Sequence, residues 1–142
     1  MDAIKLAAAA ESGPVSVVVR GGVVLLTLLT AAIHLSLGGL LFTMNAAVYL
    51  ALAVAMILPS IAPFRWLARL ALLGFASATI AGWVLFGARF ELAYIDKAIE
   101  LALLGFLAVE VWLFDGGPAG DVRRLRRLAG NVAATLKTWS AR

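Results

Sequence analysis

The chain has 142 residues, 63% of them hydrophobic and only 14% charged, with mean hydropathy +1.01. A soluble domain carries about 25% charged residues, so the composition points to a polytopic membrane protein, too short to hold two membrane domains. No Cys is present, which excludes disulfides, thiolate metal sites, c-type haem attachment and cysteine nucleophiles, and the single His34 excludes a two-His site within one chain. The net charge is +4, with Arg123, Arg124, Arg126 and Arg127 packed into one short stretch. In so apolar a chain this cluster is expected to meet anionic lipid headgroups rather than nucleic acid.

Residues 1–13 are Ala-rich and end at Pro14, a short helix at most. The first span is expected over about 15–37, interrupted only by Arg20, His34 and small hydroxyl residues. A signal peptide would need cleavage near Ala31-Ala32, but hydrophobicity continues past that point, so a retained span is expected. Gly38-Gly39 supplies a tight turn, since glycine tolerates positive φ. The second span runs over about 40–61, with Asn45 and Tyr49 one turn apart and Pro59 and Pro63 at its exit.

The third span covers about 66–87, with Arg65 and Arg69 flanking Trp66. Gly74, Ala78 and Gly82 recur every fourth residue and predict a small-residue stripe for close helix approach. The fourth covers about 93–114 and stops at Asp115-Gly116-Gly117-Pro118. Each run is near the ~20 residues that a bilayer core requires. The expected fold is all-α: a four-span transmembrane helix bundle over residues 1–118, then a basic amphipathic surface helix over 119–142. In that tail Val122, Leu125, Leu128, Val132, Leu136 and Trp139 keep three- and four-residue spacing. Asp121 is the expected N-cap, and Gly130 weakens the middle.

Orientation follows from the basic residues. With both termini in the cytoplasm, only Arg89 and Lys97 of the 12 Lys and Arg residues fall outside, which satisfies the positive-inside rule. Trp66 and Trp112 then lie near the inner interface and Trp83 near the outer one.

Three charges sit inside the fourth span. Counting 100° per residue, Asp96, Glu100 and Lys97 fall at about 0°, 40° and 100°, on one face. Charge at a bilayer centre costs about 2.5–3.5 kcal/mol per residue on insertion scales, and such groups usually face a bundle interior. From the span ends, His34, Asn45 and Asp96 lie roughly 3–8 Å below the outer boundary and Glu100 about 9 Å below it. Tyr49 and Lys97 can join them, giving an outer polar cluster. One reading is a network that pins helix register. Another is a site for a proton, a cation or a polar ligand. Asp96 and Glu100 with one His also suit a hard or borderline cation, against which Lys97 competes. No metal and no cofactor are expected. Near the inner face Arg69 and Glu110, on consecutive antiparallel spans, are expected to form a structural ion pair. Opposite the charged face, Ala98, Ala102 and Gly105 form a second small face, which suits close approach by another helix, although lipid-facing drift gives the same pattern.

Ala31-Ala32-Ile33-His34-Leu35, Leu41-Phe42-Thr43-Met44-Asn45-Ala46 and Tyr94-Ile95-Asp96-Lys97-Ala98-Ile99-Glu100 together resemble small, functionally uncharacterised bacterial four-helix integral membrane proteins, over roughly residues 20–114. The resemblance implies a bacterial cytoplasmic membrane and no particular activity. Small multidrug transporters differ in carrying a carboxylate in the first span, where this chain has none. No nucleophile signature or glycine motif marks an enzyme. The expected role is non-enzymatic: a small accessory subunit or oligomeric component packing against other transmembrane helices and an anionic lipid surface. The alternative is a small transporter or channel working through the outer polar cluster.

Overall fold

The computed structural model describes residues 13–114 and 117–140, without the side chains of Pro118, Asp121 and residues 135–140. Expectations placed on the leading Ala-rich segment, on Asp115 and Gly116, and on Leu136, Lys137, Trp139 and Arg142 lie outside that description. Among the described residues the chain is all-α and has no strand. We number the helices α1 (Pro14–Leu37), α2 (Leu40–Ile57), α3 (Arg65–Phe86), α4 (Glu91–Phe114) and α5 (Pro118–Ser140).

Local sequence sets these boundaries. Pro14 opens α1, where its missing N–H has no helical partner to lose. Gly38 and Gly39 adopt φ of 69° and 82°, so two residues suffice to reverse the chain into α2. α2 ends at Ile57, short of the expected boundary near Ile61. Leu58 precedes a proline and is therefore pushed to an extended conformation, φ −62° and ψ 122°. A 3-10 turn over Pro59–Phe64 then leads into α3.

Three stretches are long and apolar enough to cross a membrane: Pro14–Leu37, Leu40–Ile57 and Pro59–Phe86. α4 matches α1 in length, at 24 residues, but carries Asp96, Lys97, Glu100 and Glu110. All four of those charged side chains are buried.

α1 packs against α2 and α4, and α3 against α2 and α4, which gives a ring of four helices with short connections. α3 is the most loosely held of the four. The middle of the ring is apolar, built on Val23, Met56, Leu72, Leu103 and Leu107. Polar layers lie on either side of it. Leu25, Leu50, Leu101 and Leu113 face outward and are exposed. Charge inside and leucine outside reverses the order of a soluble core and suits a lipid solvent.

The stripe of Gly74, Ala78 and Gly82 does not pack inside the bundle. All three are exposed, and a Cβ added at Gly74 or Gly82 would meet nothing within 4 Å. The buried face of α3 is Arg65, Arg69, Leu72 and Ala76. Gly74 stands two residues from Leu72, about 200° round the helix, so the stripe is on the opposite side. Ala98, Ala102 and Gly105 are exposed on α4, facing away from its charged side.

α5 also corrects the expectation for its start. The helix begins at Pro118, after Gly117 at φ 74°, so Asp121 lies inside its first turn rather than at the N-cap. It runs through Gly130 unbroken. Val122, Leu125, Leu128 and Val132 are all exposed, and Arg123, Arg126 and Arg127 are exposed on other faces.

Candidate functional site

One polar constellation draws on every helix of the ring. α1 brings Thr30 and His34, α2 Tyr49, α3 Thr79, and α4 Asp96, Lys97 and Glu100. Asp96 and Glu100 are the centres. The Lys97 ammonium lies between them, with Nζ 2.9 Å from Asp96 Oδ2 and 2.6 Å from Glu100 Oε2. Thr30 Oγ1 donates to Asp96 Oδ1 at 2.6 Å. Tyr49 OH and Thr79 Oγ1 reach Glu100 Oε1 at 2.7 and 2.9 Å. Both oxygens of each carboxylate therefore have a partner, and Glu100 is fully buried at 0% exposure.

The hydrogens can be counted. Thr79 has one proton and three acceptors in reach: the Ala76 carbonyl at 2.8 Å, Tyr49 OH at 3.0 Å and Glu100. Tyr49 OH has Glu100 as its short acceptor, so the phenol is the firmer donor of the two. His34 Nδ1 is 2.9 Å from the Thr30 carbonyl, which can only accept, so the imidazole proton on this side belongs to Nδ1. The same nitrogen stands 3.5 Å from Asp96 Oδ1. Tilted ring contacts at 5.9 and 5.6 Å place the imidazole between Phe42 and Tyr49.

Of the residues expected in this cluster, His34, Tyr49, Asp96, Lys97 and Glu100 come together. Asn45 does not join them: among the described residues no hydrogen bond links it to the set. It stands one residue before the buried Ala46, at the edge of the inward face of α2, and is only half-buried. Thr30 and Thr79 are additions that hydropathy does not reveal. A threonine hydroxyl can satisfy itself on its own helix, as Thr27 does on the Val23 carbonyl at 2.7 Å, so it sits in an apolar span without a charge to mark it.

His34, Asp96 and Glu100 each bring a possible ligand atom to within 4.8 Å of the others. Lys97 already holds the position between the two carboxylates, and a divalent cation would have to displace that ammonium.

Next to the cluster lies a cleft of about 510 Å³, between the first turns of α2 and the last turns of α3. His34, Asp96 and Lys97 reach its floor, and Asn45 and Thr79 its sides. Its walls are largely aromatic: Phe42, Phe75, Trp83, Phe86 and Phe90. Trp83 is fixed at the mouth, where Nε1 donates to the Ala88 carbonyl at 3.1 Å and the Arg89 guanidinium lies 4.1 Å above the ring.

At the other end of the bundle, Arg69 Nη1 is 3.4 Å from Glu110 Oε1, as expected for consecutive antiparallel helices. Arg20 Nε approaches the same oxygen at 3.5 Å, which the sequence reading missed. The signal was spacing: Arg20 follows the buried Ser16 by four residues and precedes the buried Val23 by three.

No family model matches this chain, and no curated protein or solved structure does.

Proposed function

We propose that the chain is a four-span integral membrane protein of a bacterial cytoplasmic membrane, with both termini cytoplasmic. α4 is its fourth span, because every charge beyond its first turn turns inward while Leu101, Val109 and Leu113 face out. The tail lies on the inner surface, where its exposed apolar stripe enters the headgroup region and Arg123, Arg124, Arg126 and Arg127 meet anionic lipid.

The role is non-enzymatic: a small subunit or oligomeric component that packs against other membrane helices. One observation carries this reading. The small residues of α3 and α4 point out of the bundle while the costly charges are closed inside it. A Cβ at Gly74 or Gly105 would meet nothing, and neither lines the cleft, so a second backbone can approach closely there. The closed outer cluster then serves as a clasp that holds four helices in register.

The test is the mass of the complex in mild detergent. Gly105→Leu and Gly74→Leu should release the protein to its monomer mass while it still inserts and folds. A wild-type monomer, or a complex unchanged by both substitutions, would overturn the reading. The cleft beside Asp96 favours a second reading, a small transporter or channel acting through the outer cluster, with an oligomer completing the path.

A further inference from the structure

We propose that the cleft between α2 and α3 binds a neutral aromatic molecule that carries a hydroxyl group, a ligand of the phenol type. Its volume, about 510 Å³, falls in the range of small-molecule sites, which join apolar walls to a few convergent polar groups. Phe42, Phe75, Trp83 and Phe86 supply the walls, while Ala78 and Gly82 leave the room between them. The inference stands whether the chain is a packing subunit or a carrier.

The uncharged polar groups of the cleft select the head of the ligand. His34 is only 3% exposed, and its Nδ1 is spent on the Thr30 carbonyl at 2.9 Å. The other ring nitrogen, Nε2, makes no hydrogen bond among the described residues, although His34 lines the cleft. The Asn45 amide lines it too, half-buried, and among the described residues makes none either. A polar group taken out of water without a partner is costly, so the pair calls for a ligand that completes it. One hydroxyl does so, because it donates one hydrogen bond and accepts others. It suits Nε2 whether that nitrogen accepts or donates, and the amide, with its carbonyl and its NH2, takes the other half.

The rest of the cleft asks for a neutral, aromatic body. Asp96 and Lys97, the two charged groups of the floor, already pair at 2.9 Å, so a charged ligand finds no opposite charge to spare there. Arg89 stands exposed over Trp83 at the mouth, outside the lining. Apolar walls penalise a charge that has no partner. Ring faces and edges gain from another ring beyond the area they bury, which favours an aromatic body over a lipid acyl chain. An acyl chain also leaves Nε2 and the Asn45 amide without a partner.

The experiment uses the full chain in nanodiscs of zwitterionic lipid, with empty nanodiscs subtracting partition into the bilayer. The probe is β-naphthol. Its methyl ether accepts a hydrogen bond but cannot donate, and β-methylnaphthalene does neither. The ions β-naphthoate and β-naphthylmethylammonium put a charge on the same rings. Calorimetric titration should give saturable one-to-one binding of β-naphthol, about ten-fold or more tighter than the hydrocarbon, the worth of two net hydrogen bonds. The ether and both ions should bind more weakly than the naphthol. His34→Phe should reduce the preference over the hydrocarbon to about three-fold or less, leaving one bond of the two. If this variant fails to fold, Asn45→Leu decides, because Asn45 is half-buried and holds no hydrogen bond among the described residues, and the same fall is expected. Ala78→Phe, at an exposed position of α3, fills the cleft and should abolish binding. Equal binding of the ether or the hydrocarbon, tighter binding of either ion, no saturable binding, an undiminished preference in the deciding variant, or full binding by Ala78→Phe would each overturn the proposal. None of these readouts depends on the oligomeric mass.

Discussion

The Tyr49 hydroxyl donates to Glu100 Oε1 at 2.7 Å, joining α2 to α4 across the bundle at a carboxylate with no exposure. Thr79 reaches the same oxygen at 2.9 Å, but it has the Ala76 carbonyl of its own helix as a ready alternative. Tyr49→Phe should therefore cost more than Thr79→Val. Interhelical hydrogen bonds in membrane proteins average about 0.6 kcal/mol and reach about 1.7, and a charged acceptor belongs at the upper end. We expect about 1–2 kcal/mol for Tyr49→Phe and less than about 0.5 for Thr79→Val. Thermal unfolding of the two variants in one detergent checks the order, and the reverse order would refute the hydrogen count.

Lys97 gives a sharper test of the clasp. Lys97→Met leaves Asp96 and Glu100 facing one another in a buried site with no ammonium between them. Breaking a buried ion pair on one side typically costs about 3–5 kcal/mol. Glu100→Gln alone should cost less than Lys97→Met, because Lys97 retains Asp96 at 2.9 Å, although the amide NH2 cannot accept from the ammonium as the Glu100 oxygen does. The double variant Lys97→Met/Glu100→Gln should recover much of the loss of Lys97→Met. Additive effects in that double-mutant cycle would mean that the 2.6 Å contact carries no coupling.

Why the sequence revealed the clasp only in part is a matter of which residues disturb hydropathy. Asp96, Lys97 and Glu100 stand out because charge is rare in an apolar run, and their helical spacing puts them on one face. Arg69 and Glu110 could be paired because their helices are consecutive and antiparallel. Thr30 and Thr79 carry no such mark, since a hydroxyl barely lowers the hydropathy of an apolar span whatever it bonds to. The small stripe of α3 was recognised as a stripe but not as an outward face: nothing in Gly74, Ala78 and Gly82 themselves tells which side Leu72 and Ala76 will choose. α2 ends at Ile57, before the apolar run does, because Pro59 constrains Leu58 as well as itself. The cleft arises from loose packing of α3 against α2, a tertiary property with no local sequence signal.

Gly87 is the residue on which the mouth of that cleft depends. Its φ of −76° is open to any residue, so conformation does not require glycine here. Space does. A Cβ would collide with Trp83 Cδ1 and stand 2.7 Å from the Trp83 carbonyl oxygen, which is backbone and cannot swing aside. Gly87→Ala should therefore shift the end of α3 and release Trp83 from the Ala88 carbonyl. Gly22→Ala meets only the ring of Phe106, a half-exposed side chain able to turn outward, and should be milder. Tryptophan emission separates the two: a red shift is expected for Gly87→Ala and little change for Gly22→Ala. Unaltered emission in Gly87→Ala would mean that the mouth relaxes without moving the indole.

Orientation decides which leaflet holds the clasp and the cleft, and the absence of Cys makes it directly measurable. Ala88 lies in the connection between α3 and α4, and Ala119 in the first turn of α5; both are exposed. The two positions flank α4, whose 24 residues at ~1.5 Å each are long enough for a hydrocarbon core of about 30 Å. If α4 crosses the membrane, Ala88→Cys and Ala119→Cys must lie on opposite sides. Positive-inside bias puts Ala119 in the cytoplasm with the arginines of α5, and leaves Ala88 outside beside Arg89. An impermeant thiol reagent added to intact cells should therefore label Ala88→Cys and reach Ala119→Cys only after permeabilisation. Reversed labelling would move the clasp to the inner leaflet but keep four spans. Labelling of both positions, or of neither, in intact cells would mean that α4 does not cross, and that its buried charges serve a bundle lying against the membrane rather than through it.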